Sequence, residues 1–358
     1  MRWLAILLLC SSLGAAVLQF PAANRTPAVT TEAQRELLKT EIKLSDSGKY
    51  DEALAVDQQV LAESPDNVDA LYEMANVYIL KKEFAKGLEI ANHGAEYTGP
   101  QLAAFYILIG SAYDDMGSSQ KAVDAYRHGI EIRPLPLLYY NMGVTLDRMN
   151  NRPEAKDALK KSAALDPNHA STQFQLGRSF AIDGYSTPAL FALSRFLILE
   201  PNSARTAVAY DTWRRILNGG VTSQANGRGV NLPVNLAPKM DEGDFTQFDL
   251  FIGMSKATQL VTAQGNGKTE AQLLVEQVDQ LFSTIDKARP NDSYGFVWKY
   301  YGPYFSELKA RNFVEPFVYY ISQRTDMPGV REWPSVPANR ARGIDFLNWS
   351  THYVWPKP

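Results

Sequence analysis

Few residues in this chain stand at spacings that carry chemistry. The run Gly265-Asn266-Gly267-Lys268-Thr269 ends as a phosphate-binding loop does, with backbone amides to cradle a phosphate and a lysine to reach its oxygens. Thr262 stands where the leading glycine belongs, and the segment before it has helical rather than strand periodicity, so the run reads as a polar turn between helices. The four histidines, His93, His128, His169 and His352, are far apart, and none falls in an HExxH or another ligand-like spacing. Cys10 is the single cysteine and lies in an apolar leader, so a chain without that leader has neither disulfides nor thiolate metal ligands. No nucleophile elbow and no clustered acid pair appears. The expectation is therefore a non-enzyme, with no catalytic, cofactor-binding or metal-binding residue.

Composition narrows the class further. The 358 residues carry 36 basic and 39 acidic side chains mixed along the chain, and no basic block marks a nucleic-acid footprint. Met1-Arg2-Trp3 is a short basic start to an apolar run from Leu4 to Phe20, and small residues at Gly14, Ala15, Ala16, Ala22 and Ala23 offer cleavage sites. A run of this length is short for a membrane span, so residues 1–23 read as a secretory signal peptide, with an uncleaved N-terminal anchor as the alternative. The expected location is extracytoplasmic, periplasmic or secreted, with no membrane span once the signal is removed. Residues 24–30 read as a linker, and Thr31 with Gln34 forms a capping box that opens the first helix.

The elements that must position any site come from a repeat. Between residues 34 and 201, small residues recur at Ala75, Gly110, Gly143 and Gly177, with Glu41 as the exception in the first unit. A second small series runs Ala53, Gly87, Ala122, Ala155 and Ala189, and a large one Leu44, Tyr78, Tyr113, Leu146 and Phe180. Each unit closes on a proline, at Pro65, Pro100, Pro134, Pro167 and Pro201, which lacks an amide hydrogen and disfavours helix in the residue before it. Within a unit, apolar residues at helical spacing (Leu71, Met74, Ala75, Tyr78, Ile79) are followed by a polar turn and a second amphipathic run. The small residues let two antiparallel helices approach closely. One such hairpin cannot bury its apolar face alone, whereas a stack of them can.

This pattern resembles the tetratricopeptide repeat (TPR) family, and the likeness covers roughly half of the chain. It implies an all-α fold: a superhelical solenoid over residues 31–217, made of five helix-turn-helix repeats and a capping helix from Ser203 to Leu217 with Arg214 and Arg215 on its outer face. Residues 218–247, rich in Gly, Asn and Pro, read as a linker or long loop. Residues 248–358 read as a helical C-terminal domain in which Phe251, Met254, Leu260 and Val261 share one helix face and Leu274, Val278, Leu281 and Ile285 another.

In proteins of this kind the first helix of each repeat lines a groove that binds peptide segments. Carried onto this sequence, the groove presents Arg35, Leu38 and Ile42, then Tyr72, Asn76 and Ile79, then Ile107, Ser111, Asp114 and Asp115, then Tyr140, Val144, Asp147 and Arg148, and last Phe174 and Arg178. Relatives that clamp a C-terminal carboxylate use Lys, Asn and Arg on successive first helices. Only Asn76 matches here, and Asp114 with Asp115 disfavours an acidic tail, so the expected partner is a protein or peptide with a basic or mixed-charge segment. The sequence is silent on oligomeric state. A different class of function, glycan or cell-wall binding, would need several of Trp298, Tyr301, Trp333 and Trp355 exposed and roughly coplanar. An enzyme would need a polar concave site between the two domains.

Overall fold

The computed structural model describes residues 18–223, 230–232, 241–262, 267–289 and 295–357. Most of the predicted signal peptide, Met1 to Val17 with Cys10 and the Ala16 cleavage site, lies outside the described residues, as do Gly265 and Asn266 of the glycine-lysine turn. Among the described residues no helix is long and apolar enough to cross a membrane. The fold is all-α, with a two-residue antiparallel pairing of β1 (Thr222–Ser223) and β2 (Val230–Asn231). The chain divides into two compact units, residues 1–134 and 135–358.

Unit 1 holds three helical hairpins: α1 (Glu32–Asp46) with α2 (Tyr50–Glu63), α3 (Val68–Leu80) with α4 (Phe84–Gly94), and α5 (Leu102–Asp115) with α6 (Ser119–Ile132). The capping box forms as expected: the Gln34 amide donates to the Thr31 hydroxyl at 3.3 Å and the Thr31 amide to the Gln34 side chain at 3.0 Å. The recurrent small residues do what the spacing predicts. A Cβ on Gly110 would lie 2.2 Å from the Tyr126 ring, and one on Gly87 would lie 2.7 Å from Ile79. The turn inside each hairpin also repeats. Its second residue or its equivalent has positive φ in every unit, at Gly48, Lys82, Gly117, Asn150 and Gly184, which is the left-handed end that closes a helix.

Residues 24–30, expected as a linker, are instead held against the hairpin ends. The Arg25 amide donates to Glu96 O at 3.0 Å, the Thr98 amide to Arg25 O at 2.8 Å and the Ala28 amide to Asp66 O at 2.9 Å. The Arg25 guanidinium pairs with Asp66 and Glu96 and lies 4.5 Å over the Tyr97 ring. Upstream, Phe20 stacks on His128 with ring centroids 4.7 Å apart and meets Tyr106 edge-on. An extended strand of polar residues is ordered here because its backbone groups find partners among the carbonyls and amides that the helix ends leave open.

Unit 2 holds the remaining hairpins, α7 (Pro136–Arg148) with α8 (Arg152–Leu165) and α9 (Ala170–Ile182) with α10 (Ser186–Leu199), followed by α11 (Ala204–Leu217). The C-terminal helices are α12 (Thr246–Thr262), α13 (Glu270–Phe282), the short α14 (Ile285–Ala288), α15 (Phe296–Ala310), α16 (Val314–Ile321) and α17 (Pro337–Thr351). One hydrophobic core runs from Leu159 through Phe191, Phe196 and Trp213 to Trp298, Tyr304, Phe317 and Phe346. The predicted division at residues 218–247 therefore separates no core. Helix α10 is apolar on nearly every face, from Leu190 to Ile198, so it needs cover on both sides, and the C-terminal helices supply it. Helix α11 forms as predicted, but its Arg214 pairs with Glu270 of α13 rather than closing an open end. Within the C-terminal part the face containing Leu274, Val278, Leu281 and Ile285 is buried as expected. The other face is shifted: α12 buries Phe248, Ile252 and Ser255, while Met254 is exposed.

The aromatic run is core. Trp298, Tyr300, Tyr301 and Tyr304 of α15 are fully buried, and their polar ends are satisfied inside unit 2. The Trp298 indole donates to Asp244 O at 2.6 Å, the Tyr300 hydroxyl to Ala163 O at 2.6 Å and the Tyr301 hydroxyl to the Gln173 side chain. These bonds let amphipathic rings be buried without orphaned polar atoms. Of the four rings that the alternative glycan site would need exposed, Trp298 and Tyr301 present no face to solvent, and the half-buried Trp333 and Trp355 stack on Tyr319 and Tyr304.

Candidate functional site

The described surface of unit 1 contains a cleft of about 330 Å³ built by the first helices of its three hairpins. Helix α1 supplies Arg35, Leu38, Lys39 and Ile42, α3 supplies Asp69, Tyr72 and Glu73, and the start of α5 supplies Gln101 and Ala104. Residues three and four apart share a helix face, so one stripe of each helix lines the cleft. The lining mixes apolar side chains, Leu38, Ile42, Tyr72 and Ala104, with two cations on α1, Arg35 and Lys39, and two carboxyl groups on α3, Asp69 and Glu73.

The charged lining groups are already loosely engaged. Arg35 pairs with Glu32 at 3.1 Å and Lys39 with Glu36 at 2.6 Å, both exposed pairs on one helix that exchange partners at little cost. Asp69 accepts from the Thr30 hydroxyl at 2.6 Å and from the Gln101 side chain at 2.9 Å. Burial, with the nearby carboxylates of Asp69 and Asp46, raises the Glu73 pKa, and burial beside Glu73 raises that of the Tyr72 phenol. Tyr72 is braced edge-on by Phe105, with ring centroids 5.7 Å apart.

Of the residues predicted for a groove, Arg35 and Tyr72 meet in this cleft together with Leu38 and Ile42. Asn76, Ile107, Ser111, Asp114 and Asp115 do not line it. Ser111 faces its own hairpin, 3.4 Å from the Tyr126 hydroxyl, and Asp114 accepts from Ser119 across the turn. In unit 2 the predicted residues serve packing between helices. Tyr140 meets His169 edge-on at 4.8 Å, and Asp147 accepts from Gln175, whose carbonyl oxygen in turn accepts from Arg178. Phe174 is packed on Phe196 and covered by the Arg205 guanidinium, while Arg148 is exposed. Lys39, Asp69, Glu73, Gln101 and Ala104 were not predicted. Asp69 and Ala104 stand one repeat and two repeats beyond Arg35, so stepping that residue through the register would have found them.

The other chemical candidates have structural roles. Lys268 is paired with Glu276, and Thr269 forms a capping box with Gln272 at the start of α13. Among the described residues no group of three or more His, Cys, Asp or Glu side chains is placed to hold a metal ion.

Comparison with known proteins bears on the repeats. A tetratricopeptide-repeat model matches residues 44–111, and a second matches 103–134 and 137–169. The human protein O-mannosyl-transferase TMTC1 is 24% identical over 163 residues, covering 44% of this chain and 18% of the relative. The general transcriptional corepressor trfA of Dictyostelium discoideum is 26% identical over 129 residues, covering 33% of this chain and 9% of the relative. The chain thus spans less than a fifth of either relative. The solved structure of TTC0263, a thermophilic TPR protein of Thermus thermophilus, is 20% identical, with a TM-score of 0.44 over 51% of this chain and 98% of its own. The matched segments are the hairpins from α2 to α8, and over them the chain carries tetratricopeptide repeats.

Proposed function

We propose that this chain is a non-catalytic adaptor that holds a segment of a protein partner in the unit 1 cleft. Tetratricopeptide repeats support a protein–protein interaction scaffold. The observation that carries the finer reading is the cleft itself, whose lining joins apolar side chains to cations on α1 and carboxyl groups on α3. Such a surface favours a segment with an apolar anchor flanked by basic or mixed charge, because the anchor packs beside Tyr72 and opposite charges set its register. The apolar run from Leu4 to Phe20 supports a location outside the cytoplasm. Packing of Phe20 on Tyr106 and His128 favours cleavage near Ala16, which keeps Phe20, over cleavage near Ala23, which removes it.

The test pans a random peptide library on the full chain and on a Tyr72→Ala variant shown by circular dichroism to be folded. Peptides with an apolar residue flanked by basic or mixed charge should be enriched on the first and bind the second at least tenfold more weakly. Equal binding to both moves the site away from the cleft, and an empty selection rejects peptide binding there. Mass spectrometry of protein recovered from an extracytoplasmic fraction should place the N-terminus upstream of Leu18; recovery of the chain only inside the cell rejects the location.

A further inference from the structure

The first hairpin contains a buried pair that peptide binding does not use. In three other hairpins the closest approach of the two helices sets a glycine against a large side chain at one fixed step: Gly110 on Tyr126, Gly143 on Leu159 and Gly177 on Leu193. The same step in the first hairpin leads from Glu41 on α1 to Asp57 on α2. Both side chains are fully buried. None of their four carboxyl oxygens has a hydrogen-bond partner among the described residues. An apolar contact that closes its sister hairpins is here replaced by two carboxyl groups with no cation and no donor.

A buried carboxylate without a partner is far more costly than the neutral acid, so such a group takes up a proton instead. The charged groups that act on the pair make this stronger. Glu73 on α3, the helix packed against both, is a carboxyl group that acts on both members and is itself beside Asp69, Asp46 on α1 acts on Glu41, and Glu41 acts on Asp57.

We propose that Glu41 and Asp57 form a proton-binding pair that makes the first hairpin conditional on pH, closed while both carboxyls are protonated and loosened as they ionise. Helix α1 supplies Arg35, Leu38, Lys39 and Ile42 to the cleft, so the same protons hold one of its walls in place. The pair acts on the hairpin whether or not the cleft has a ligand. Burial first, and then the neighbouring carboxylates, push Glu41 up to about 7 and Asp57 up to about 9. Both folded values lie above the ordinary 4.5 and 3.8. The folded hairpin therefore keeps protons that the open chain has released. Its added stability is complete at acid pH and is lost as pH rises, through Glu41 up to about 7 and through Asp57 up to about 9.

Hydrogen exchange on the full chain tests this. Protection factors of the α1 and α2 amides, corrected for the pH dependence of intrinsic exchange, should fall at least tenfold between pH 5 and pH 8, since each retained proton is worth a factor of about ten per pH unit. Amides of α7 and α8 in the same sample serve as the reference and should change less. A Glu41→Gln, Asp57→Asn double variant should show a flat profile. A Glu41→Ala, Asp57→Leu variant, which restores a small and large apolar pair, should be flat and better protected at pH 8. If neither variant folds, carbon-13 titration of the two carboxyls in the unaltered protein decides the matter. Midpoints above 6 support the pair, and midpoints near 4 overturn it. Protection that does not change with pH, or that falls equally in a folded double variant, overturns it as well.

Discussion

Substituting Gly110 by alanine tests whether the glycine series exists to let helices touch. Gly110 on α5 faces Tyr126 on α6, and an alanine Cβ would stand 2.2, 2.5 and 2.7 Å from three atoms of that ring. Carbon atoms rest at about 3.5–4.0 Å, so the ring must retreat by more than about 1 Å. Tyr126 is almost fully buried and has little free space to enter. Overpacking of this kind costs about 1–3 kcal/mol, and the clash distance puts it toward the upper end. Alanine in a helix interior recovers about 0.8–1.0 kcal/mol relative to glycine. The net expectation is a loss of about 1–2 kcal/mol, read as a lower urea midpoint with an unchanged slope. Tyr126→Ala alone should cost about 3–5 kcal/mol through the cavity it leaves. In that background Gly110→Ala should become neutral or stabilising, giving a coupling of about 1–3 kcal/mol. An alanine at Gly110 that stabilises the native-ring protein by its full propensity gain would refute close approach as the reason for the series.

Two further substitutions follow from the same geometry. Lys82 is a non-glycine residue at φ 62° in the turn of the second hairpin, so Lys82→Gly should raise stability by about 1 kcal/mol in thermal or urea unfolding, and a loss would mean its side chain is needed there. In unit 2, Glu242 accepts from Lys160 at 2.8 Å and lies 3.5 Å from Lys156, while Asp183 holds Lys156 from the other side at 2.9 Å. Glu242→Gln should cost about 1–3 kcal/mol, because two nearly buried ammonium groups lose their shared anion, and exchange at the neighbouring Phe245 amide should quicken; unchanged stability would show that Asp183 and Asp157 suffice.

Much of the fold was legible because it is written in local periodicity. Helical spacing, a small residue in each helix but the first, a left-handed turn and a closing proline recur in register, and each is a requirement that the nearest residues meet among themselves. The capping boxes at Thr31 and Thr269 are equally local. The candidate site was legible only in part. Tyr72 and Arg35 lie on the predicted stripe and reach the cleft, whereas Ser111 and Phe174 lie on the same stripe and are taken up by Tyr126 and by Phe196 with Arg205. The stripe says which way a residue points, and its neighbours across space decide whether it stays available.

The sequence by itself determined the hairpins of α1 to α10, their turns and the helix-to-helix contact positions, since these depend on steric and hydrogen-bonding preferences within about 35 residues. It also marked Glu41 as the one exception in its series. Only the tertiary structure decided what that exception means, because burial without a partner is a property of the packed hairpin and not of the residue. The same holds for the aromatic C-terminal run. Rings at helical spacing are equally consistent with a binding face and with a core, and the choice was made by α10, apolar on nearly every face, which those rings cover while Ala163 and Gln173 accept from their hydroxyls.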